Sequence, residues 1–388
     1  MIQVSHFVGL SGVGGVQRNF VEYINNQVAL DNRLLHKVYT LGKVDLQYKI
    51  QVKIYNVKNP IHLFSLILDI ISKKKIVHFY NNLASLKISI FLFFLPTCNL
   101  IFHERGTIWN LPSSRRVLLR FVAWKAELIL ANSNATRIML ERKFDIPYYK
   151  INVLHNGIDI SRKCIKDKLP LHTPIVFRVG FIGRLDTPKG VHVLIDAMRY
   201  LTHYKIKLII AGDGALENIL KDQADDMANV SFIGRVADPN SFLSSIDLLV
   251  VPSIREPLGN VCLEAGLCKV PVIASNVDGI PEIIENQVSG ILLNPVHLVN
   301  LIIPSGSVPV PEFVINPNTH RLCRPMQLDP SQLAGKITEI SKDDVLREKY
   351  TERLYTKVVK NFSIERYTMK LHNIYINLFE LENKSIRS

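Results

Sequence analysis

Asp247-Leu-Leu-Val-Val-Pro-Ser-Ile-Arg-Glu-Pro-Leu-Gly-Asn-Val-Cys-Leu-Glu-Ala-Gly-Leu-Cys-Lys-Val-Pro-Val-Ile-Ala-Ser275 is the stretch that decides the fold. Its first apolar run, closed by Pro252, is short and unbroken, as in a strand buried on both faces. A turn follows through Pro257 and Gly259, a helix starts near Asn260, and Val-Pro-Val-Ile-Ala makes a second buried strand. Strand, turn, helix, strand is the unit of a parallel sheet wrapped by helices. A helix that opens straight after a glycine turn offers unpaired N–H groups and the positive end of its dipole to an anion. Glu264, about one turn into that helix, is placed to accept hydrogen bonds from a diol such as a ribose. Glu256, on the turn, points toward the same cleft from another angle. A bare pair of glutamates eight apart is ordinarily two surface carboxylates, so the flanking strands carry the weight.

Working outward, the same unit recurs. Strands are expected at Gln3–Val8, His36–Thr40, Ile76–Phe79, Leu100–His103, Leu128–Ala131 and Ile151–Leu154, and again at Ile175–Ile182, Lys207–Ala211, Val230–Ile233, Leu248–Pro252, Val272–Ala274 and Gly290–Leu293. Two such series imply an α/β chain of two Rossmann-like domains facing each other across a cleft. The charged, aperiodic stretch within Asp159–Pro174 places the boundary, giving domains 1–165 and 166–362. Apolar residues at helical spacing between Ser363 and Glu380 predict a last helix that, within 363–388, packs back on the first domain. Residues 294–330 carry seven prolines and little periodicity, and read as an insertion in the second domain.

The pattern Glu-Pro-x-Gly-x4-Glu-Ala at Glu256–Ala265, set between two buried strands, resembles the Glu-x7-Glu motif of the retaining glycosyltransferases of family 4, which have the GT-B fold. Phe181-Ile-Gly-Arg-Leu-Asp-Thr-Pro-Lys-Gly190 supports it: two cations on a loop beside a helix start make a diphosphate clamp that needs no metal. The resemblance places Arg184 and Lys189 on the donor's diphosphate, with the helix-start amides of Gly259, Asn260 and Val261 stabilising the same leaving group. It gives Glu256 the sugar hydroxyls and Glu264 the ribose, sets Gly14 and Gly15 near the phosphates, and lets His103 bond the donor sugar. Arg235 and Val236 fall where the family's nucleotide base stacks, and Glu104 and Arg105 fall on the acceptor side. Glu256, His103, Arg184 and Lys189 are then the catalytic set. Leu154-His-Asn-Gly-Ile-Asp, Ala211-Gly-Asp-Gly and Asp278-Gly-Ile-Pro-Glu-Ile-Ile are smaller matches.

The implied activity is transfer of a sugar from a nucleotide diphosphate sugar to a hydroxyl of a lipid-linked saccharide or a lipopolysaccharide/O-antigen-type acceptor. GDP-mannose and UDP-hexoses both fit, because cleft shape and not these motifs selects the donor. No metal or other cofactor is expected. The alternative is a non-catalytic GT-B-like protein that binds a sugar nucleotide or polysaccharide.

Composition sets the outer bounds. A chain of 388 residues that is 47% hydrophobic and 21% charged is neither disordered nor fibrous. Five cysteines with no Cys-x-x-Cys pair suit reduced thiols in the cytoplasm, not a zinc site. The first 170 residues hold 24 Lys+Arg and 10 Asp+Glu, so their net charge of +14 exceeds the chain's +13. That lobe therefore meets something anionic. Arg115-Arg-Val-Leu-Leu-Arg-Phe-Val-Ala-Trp-Lys125 puts four cations and an apolar stripe on one helix, the pattern of a helix resting on anionic lipid. With Lys73-Lys-Lys75 it predicts a peripheral protein on the inner face of the plasma membrane. No apolar stretch reaches the roughly 18–20 residues needed to span a bilayer, and the N-terminus lacks the basic region of a secretion signal. Nucleic acid is not an expected partner, since charge alone suggests it.

Overall fold

The computed structural model describes residues 1–12, 14–30, 33–161, 176–301, 303–304 and 306–385, and the side chains of all these except 27–30 and 381–385. They form two compact units, Met1–Asp159 with Phe362–Ser388, and Ile160–Asn361. Val13, Ile175, Cys164 and the rest of the charged stretch 162–174 lie outside the described residues.

In the first unit the elements run β1 (Ile2–Phe7), α1 (Gly15–Leu30), β2 (Leu34–Thr40), β3 (Ile54–Asn56), α2 (Pro60–Ile70), β4 (Lys75–Tyr80), α3 (Leu86–Phe93), β5 (Leu100–Glu104), α4 (Arg116–Lys125), β6 (Leu128–Ala131), α5 (Asn134–Phe144) and β7 (Ile151–Val153). Their strands make one sheet in the order β3-β2-β1-β4-β5-β6-β7, every pair parallel. Parallel strands need crossovers, and these are right-handed because a right-twisted strand feeding a helix packs back only that way. The chain steps one way from β1 and the other way from β4, so α1 covers one face and α2, α3, α4 and α5 the other.

The second unit contains β8 (Phe177–Ile182), α6 (Val191–Arg199), β9 (Ile206–Ala211), α7 (Glu217–Gln223), β10 (Val230–Gly234), α8 (Pro239–Ser244), β11 (Leu248–Val251), α9 (Asn260–Leu267), β12 (Val272–Ser275), α10 (Ile280–Ile283), β13 (Ile291–Leu293), β14 (His297–Leu298), β15 (Val314–Asn316), β16 (Arg321–Cys323), β17 (Met326–Gln327), α11 (Pro330–Lys342) and α12 (Asp344–Asn361). Its sheet, β10-β9-β8-β11-β12-β13, is again parallel throughout. Leu333, Ile337 and Ile340 of α11 pack with Val193, Leu194 and Ala197 of α6 over Leu208 and Val250 of the sheet.

The last helix, α13 (Ile364–Ser385), belongs to the first unit. Its Ile364, Tyr367, Leu371 and Tyr375 join Phe20, Tyr23 and Ile24 of α1 in one buried cluster. Ile158 ties the start of this helix down, its N–H bonding the Phe362 carbonyl at 2.8 Å and its carbonyl accepting from Ile364 N at 2.9 Å.

All twelve expected strands are present, to within two residues at their ends. The added β3 is a three-residue edge strand, Ile-Tyr-Asn, too short to carry a pattern. Within 294–330 the chain makes two small antiparallel ladders, β14 with β17 and β15 with β16. Proline lacks the N–H a ladder needs, which keeps these short. The ladder β15–β16 is more than surface decoration, because Val314 and Ile315 are buried. Cys98, Cys262 and Cys323 are free thiols, as the reading of reduced cysteines expects, and Cys164 lies outside the described residues.

Candidate active site

In the second unit β8 and β11 lie side by side while the connections from them run in opposite directions, which opens a crevice beyond their carboxyl ends. Arg184 and Lys189 stand on the loop after β8, and Glu256 stands on the turn after β11. The two loops are stitched at the backbone, the Pro188 carbonyl accepting from Ile254 N at 2.9 Å and from Arg255 N at 3.2 Å. Gly190 makes this approach possible: it has φ +65°, and a Cβ there would lie 2.1 Å from the Pro252 carbonyl oxygen.

That stitching brings Lys189 Nζ to 2.5 Å from Glu256 Oε2, and Ser253 Oγ donates to the same oxygen at 3.3 Å. Arg184 is exposed and pairs with Asp186 at 3.3 Å. The N-cap of α9 is Gly259, left-handed and without a side chain to cap the helix, and Asn260 and Val261 follow it. Glu264 lies half-buried one turn into α9. The Cys262 thiol, buried in the first turn of α9, feels the charges of Glu256, Lys189 and Glu264. Burial first, and then the two carboxylates, push that thiol's pKa far up, so it is an inert packing group. Arg235 is exposed and Val236 half-buried on the loop after β10, the edge strand two removed from β8.

Two residues given no role in the sequence reading complete the site. Arg255 is buried between the loops in the field of Glu256, Asp278 and Asp186, and burial lowers its pKa from the usual arginine value. Asp278, buried in a left-handed conformation, accepts from Glu256 N at 2.9 Å and from Ile315 N at 2.7 Å, while its own N–H bonds the Ile315 carbonyl at 3.1 Å. The Glu256 turn is thereby hung from strand β15 of the proline-rich segment. Gly279 N also donates to the Glu256 carbonyl at 3.1 Å. The signal for Arg255 is its place beside Glu256. The signal for Asp278 is an acid before glycine at the end of a buried strand.

Asp278→Asn puts an amide N–H against Glu256 N–H, and a hydrogen bond to a charged group is worth about 1.5–3 kcal/mol. Denaturant titration should show a stability loss of about 2–3 kcal/mol; an unchanged midpoint would mean that the Glu256 turn holds without this tie.

In the first unit His103, Glu104 and Arg105 follow one another at the end of β5, all buried. The His103 ring stacks on His78 with centroids 5.4 Å apart, and neither of its nitrogens has a hydrogen-bond partner among the described residues. Burial, then the charge of Arg105, holds its pKa well below the ordinary value, so the ring is neutral. Arg105 donates to Tyr367 OH at 2.8 Å and lies over the Tyr80 ring, while its Nε and Nη1 have no partner among the described residues. The Glu104 carboxylate turns back on its own chain, taking hydrogen bonds from Gly106 N, Thr107 N, Thr107 Oγ1 and Ile108 N. Gly15 opens α1, on the loop side of β1, and Gly14 stands just before it, its carbonyl accepting from Arg18 N at 3.0 Å.

Residues 176–303 match the family described as Glycosyl transferases group 1. An uncharacterised glycosyltransferase of Methanocaldococcus jannaschii is 34% identical over 168 residues, which is 39% of this chain and 43% of the relative. The capsular polysaccharide biosynthesis glycosyltransferase CapM of Staphylococcus aureus is 35% identical over 124 residues, 30% of this chain and 32% of CapM. The chain thus spans less than half the length of these relatives. Anabaena HepE, solved with UDP and glucose, superposes with a TM-score of 0.71 over 96% of this chain and 99% of its own, at 19% identity. That likeness is one of fold: two Rossmann-like units of the GT-B type. The second unit therefore carries a glycosyltransferase group 1 region.

Proposed function

We propose that the chain is a retaining glycosyltransferase moving a hexose from a nucleotide diphosphate sugar, a UDP-hexose or GDP-mannose, to a hydroxyl of a lipid-linked saccharide or lipopolysaccharide/O-antigen-type acceptor. The observation that carries this reading is the Lys189–Glu256 contact of 2.5 Å at the crevice between β8 and β11, with Arg184 on the same loop as Lys189 and the glycine-led start of α9 following on. Leaving of the nucleotide puts negative charge on the diphosphate and positive charge on the sugar ring. Arg184, Lys189 and the α9 amides stabilise the first, and preorganised donors of this kind dominate the rate when they face developing charge. An arriving diphosphate competes for Lys189, which releases Glu256 to the sugar hydroxyls, and Glu264 takes the ribose.

The acceptor oxygen attacks on the face the nucleotide leaves, so the bond to the sugar forms as the bond to the diphosphate breaks. The acceptor's proton passes to a phosphate oxygen of the leaving group. In this reading His103 bonds the transferred sugar, Gly14 and Gly15 pass near the phosphates, Arg235 and Val236 receive the base, and Arg105 serves the acceptor. The match over residues 176–303 and the capsular polysaccharide relative support a saccharide-building role. The basic helix α4 supports a peripheral place on an anionic membrane.

The test is a panel of UDP, GDP, ADP and their sugars against the melting temperature of the protein and of Lys189→Ala. Ligand at about 100 times its Kd adds about 2.7 kcal/mol. A shift with one nucleotide, lost in the variant, is the expected result and names the base. No shift with any of them would overturn the reading.

A further inference from the structure

Helices α2 and α3 are apolar on both faces: Leu66 and Ile70 of α2 and Leu92 of α3 are buried against the unit, and large apolar side chains also point outward. In α2 the one acid, Asp69, is buried, accepting from Ser5 Oγ at 2.7 Å, Tyr39 OH at 2.8 Å and Lys75 Nζ at 2.6 Å. Aiming Asp69 at the sheet turns Leu63, Phe64 and Leu68 outward, where all three are exposed. In α3 Ser89 and Leu92 are buried, while Ile90, Phe93 and the following Phe94 are exposed, Phe94 to 77%. A helix apolar on every side needs apolar surroundings on every side.

These helices share a face with α4, and their ends are stitched together. Cys98 N bonds the Ile70 carbonyl at 3.2 Å, Asn99 Nδ2 the Lys73 carbonyl at 3.0 Å, and Lys125 Nζ the Leu95 carbonyl at 3.0 Å. Phe93 meets Phe121 at 5.9 Å and Phe121 meets Trp124 at 6.2 Å, so one aromatic ridge runs from α3 into α4. Val117 and Trp124 continue the exposed apolar surface, at 78% and 71%. From Lys58 to Ala126 the sequence has ten Lys and Arg and two acids, Asp69 and Glu104. Both acids are buried, so every exposed charge along this stretch is positive.

We propose that α2, α3 and α4 form a bilayer-docking face, in which the ridge of Phe64, Phe93, Phe94 and Trp124 enters an anionic leaflet and the surrounding lysines and arginines meet lipid phosphates. The proposal rests on the membrane part of the reading above and extends it from one basic helix to a three-helix surface. A second copy of the chain fits less well, because a two-fold contact sets each patch against its own kind and would bring cation to cation. An anionic leaflet supplies both the apolar depth and the opposite charge.

The protein carries its own probe. Of its two tryptophans, Trp109 is buried and Trp124 is exposed. With vesicles of phosphatidylglycerol and phosphatidylcholine in equal parts, Trp124 emission should move to the blue and lose access to acrylamide. Vesicles of phosphatidylcholine alone should give a much smaller change. At about 1 kcal/mol for each cation near the surface, Arg115→Gln with Arg120→Gln should weaken partition about thirtyfold. Phe93→Ser with Phe94→Ser should remove the blue shift and leave a weaker, salt-sensitive attachment; the residues are exposed, and circular dichroism confirms folding. Trp124 still open to acrylamide at saturating vesicle, or already covered in a lipid-free dimer, overturns the proposal. Lys189→Ala should bind vesicles as the parent does, so loss of the nucleotide shift and loss of docking are separate results.

Discussion

Lys189→Ala will lower sugar transfer by about 10²–10³-fold, the usual cost of removing one preorganised donor from a developing negative charge. Two effects run together. The diphosphate loses a cation, and Glu256 loses the partner at 2.5 Å that holds its carboxylate in place, while the weaker bond from Ser253 Oγ at 3.3 Å stays. Residues that act as a unit are not additive. Glu256→Gln alone should also cost transfer heavily, and the double variant should fall only a little below the worse single one. Steady-state transfer from labelled donor, measured across this cycle, decides the matter. If the two losses multiply, Lys189 and Glu256 act on separate steps, and the exchange of Lys189 from carboxylate to phosphate does not occur.

Mild acid should unfold the first unit well before its carboxylates titrate. His6, His36, His78 and His103 are held neutral, chiefly by burial, each with its pKa below the ordinary histidine value. Between that value and the lowered one, the unfolded chain binds protons that the folded chain refuses, so stability is present above about pH 6.5 and is lost as pH falls. His36, lowered to about 4, alone accounts for about 3 kcal/mol across that window. Domains are stable by about 5–15 kcal/mol, so the four together can exhaust the first unit's stability. The second unit has only His192 shifted in this way among its described histidines. Urea unfolding followed through buried Trp109 should show a midpoint far lower at pH 5 than at pH 7.5. A midpoint that stays level over this range would mean that the cluster takes up protons in the folded state.

The sheet strands were legible because a strand buried on both faces is a short apolar run punctuated by glycine or proline, and this chain repeats that signal twelve times. Edge strand β3 gave none, having three residues and one aliphatic side chain. The loops holding Arg184, Lys189 and Glu256 were legible as loops beyond strand ends. Their pairing was not, since Lys189 and Glu256 are 67 residues apart and meet only because β8 and β11 are neighbours. Asp278 stood inside a recognised segment, yet its part depends on Ile315, in a stretch whose prolines hide all periodicity. The apolar stretches that form α2 and α3 were read only as too short to span a bilayer; which of their side chains face outward is settled by packing, which buries Leu66, Asp69 and Ile70 of one and Ser89 and Leu92 of the other.

The proline-rich segment leaves the second sheet after β13 and is clipped shut where β14 pairs with β17, so α11 resumes the fold from nearly the point of departure. It is a cassette: it leaves and rejoins the fold at one place and adds no strand to the six-stranded sheet. Yet Ile315 holds Asp278, and Asp278 holds the Glu256 backbone. A change within the segment that moved Ile315 would therefore be felt at the Glu256 backbone. Under the proposed function, replacing 296–327 should alter donor preference although no donor contact is proposed for the segment.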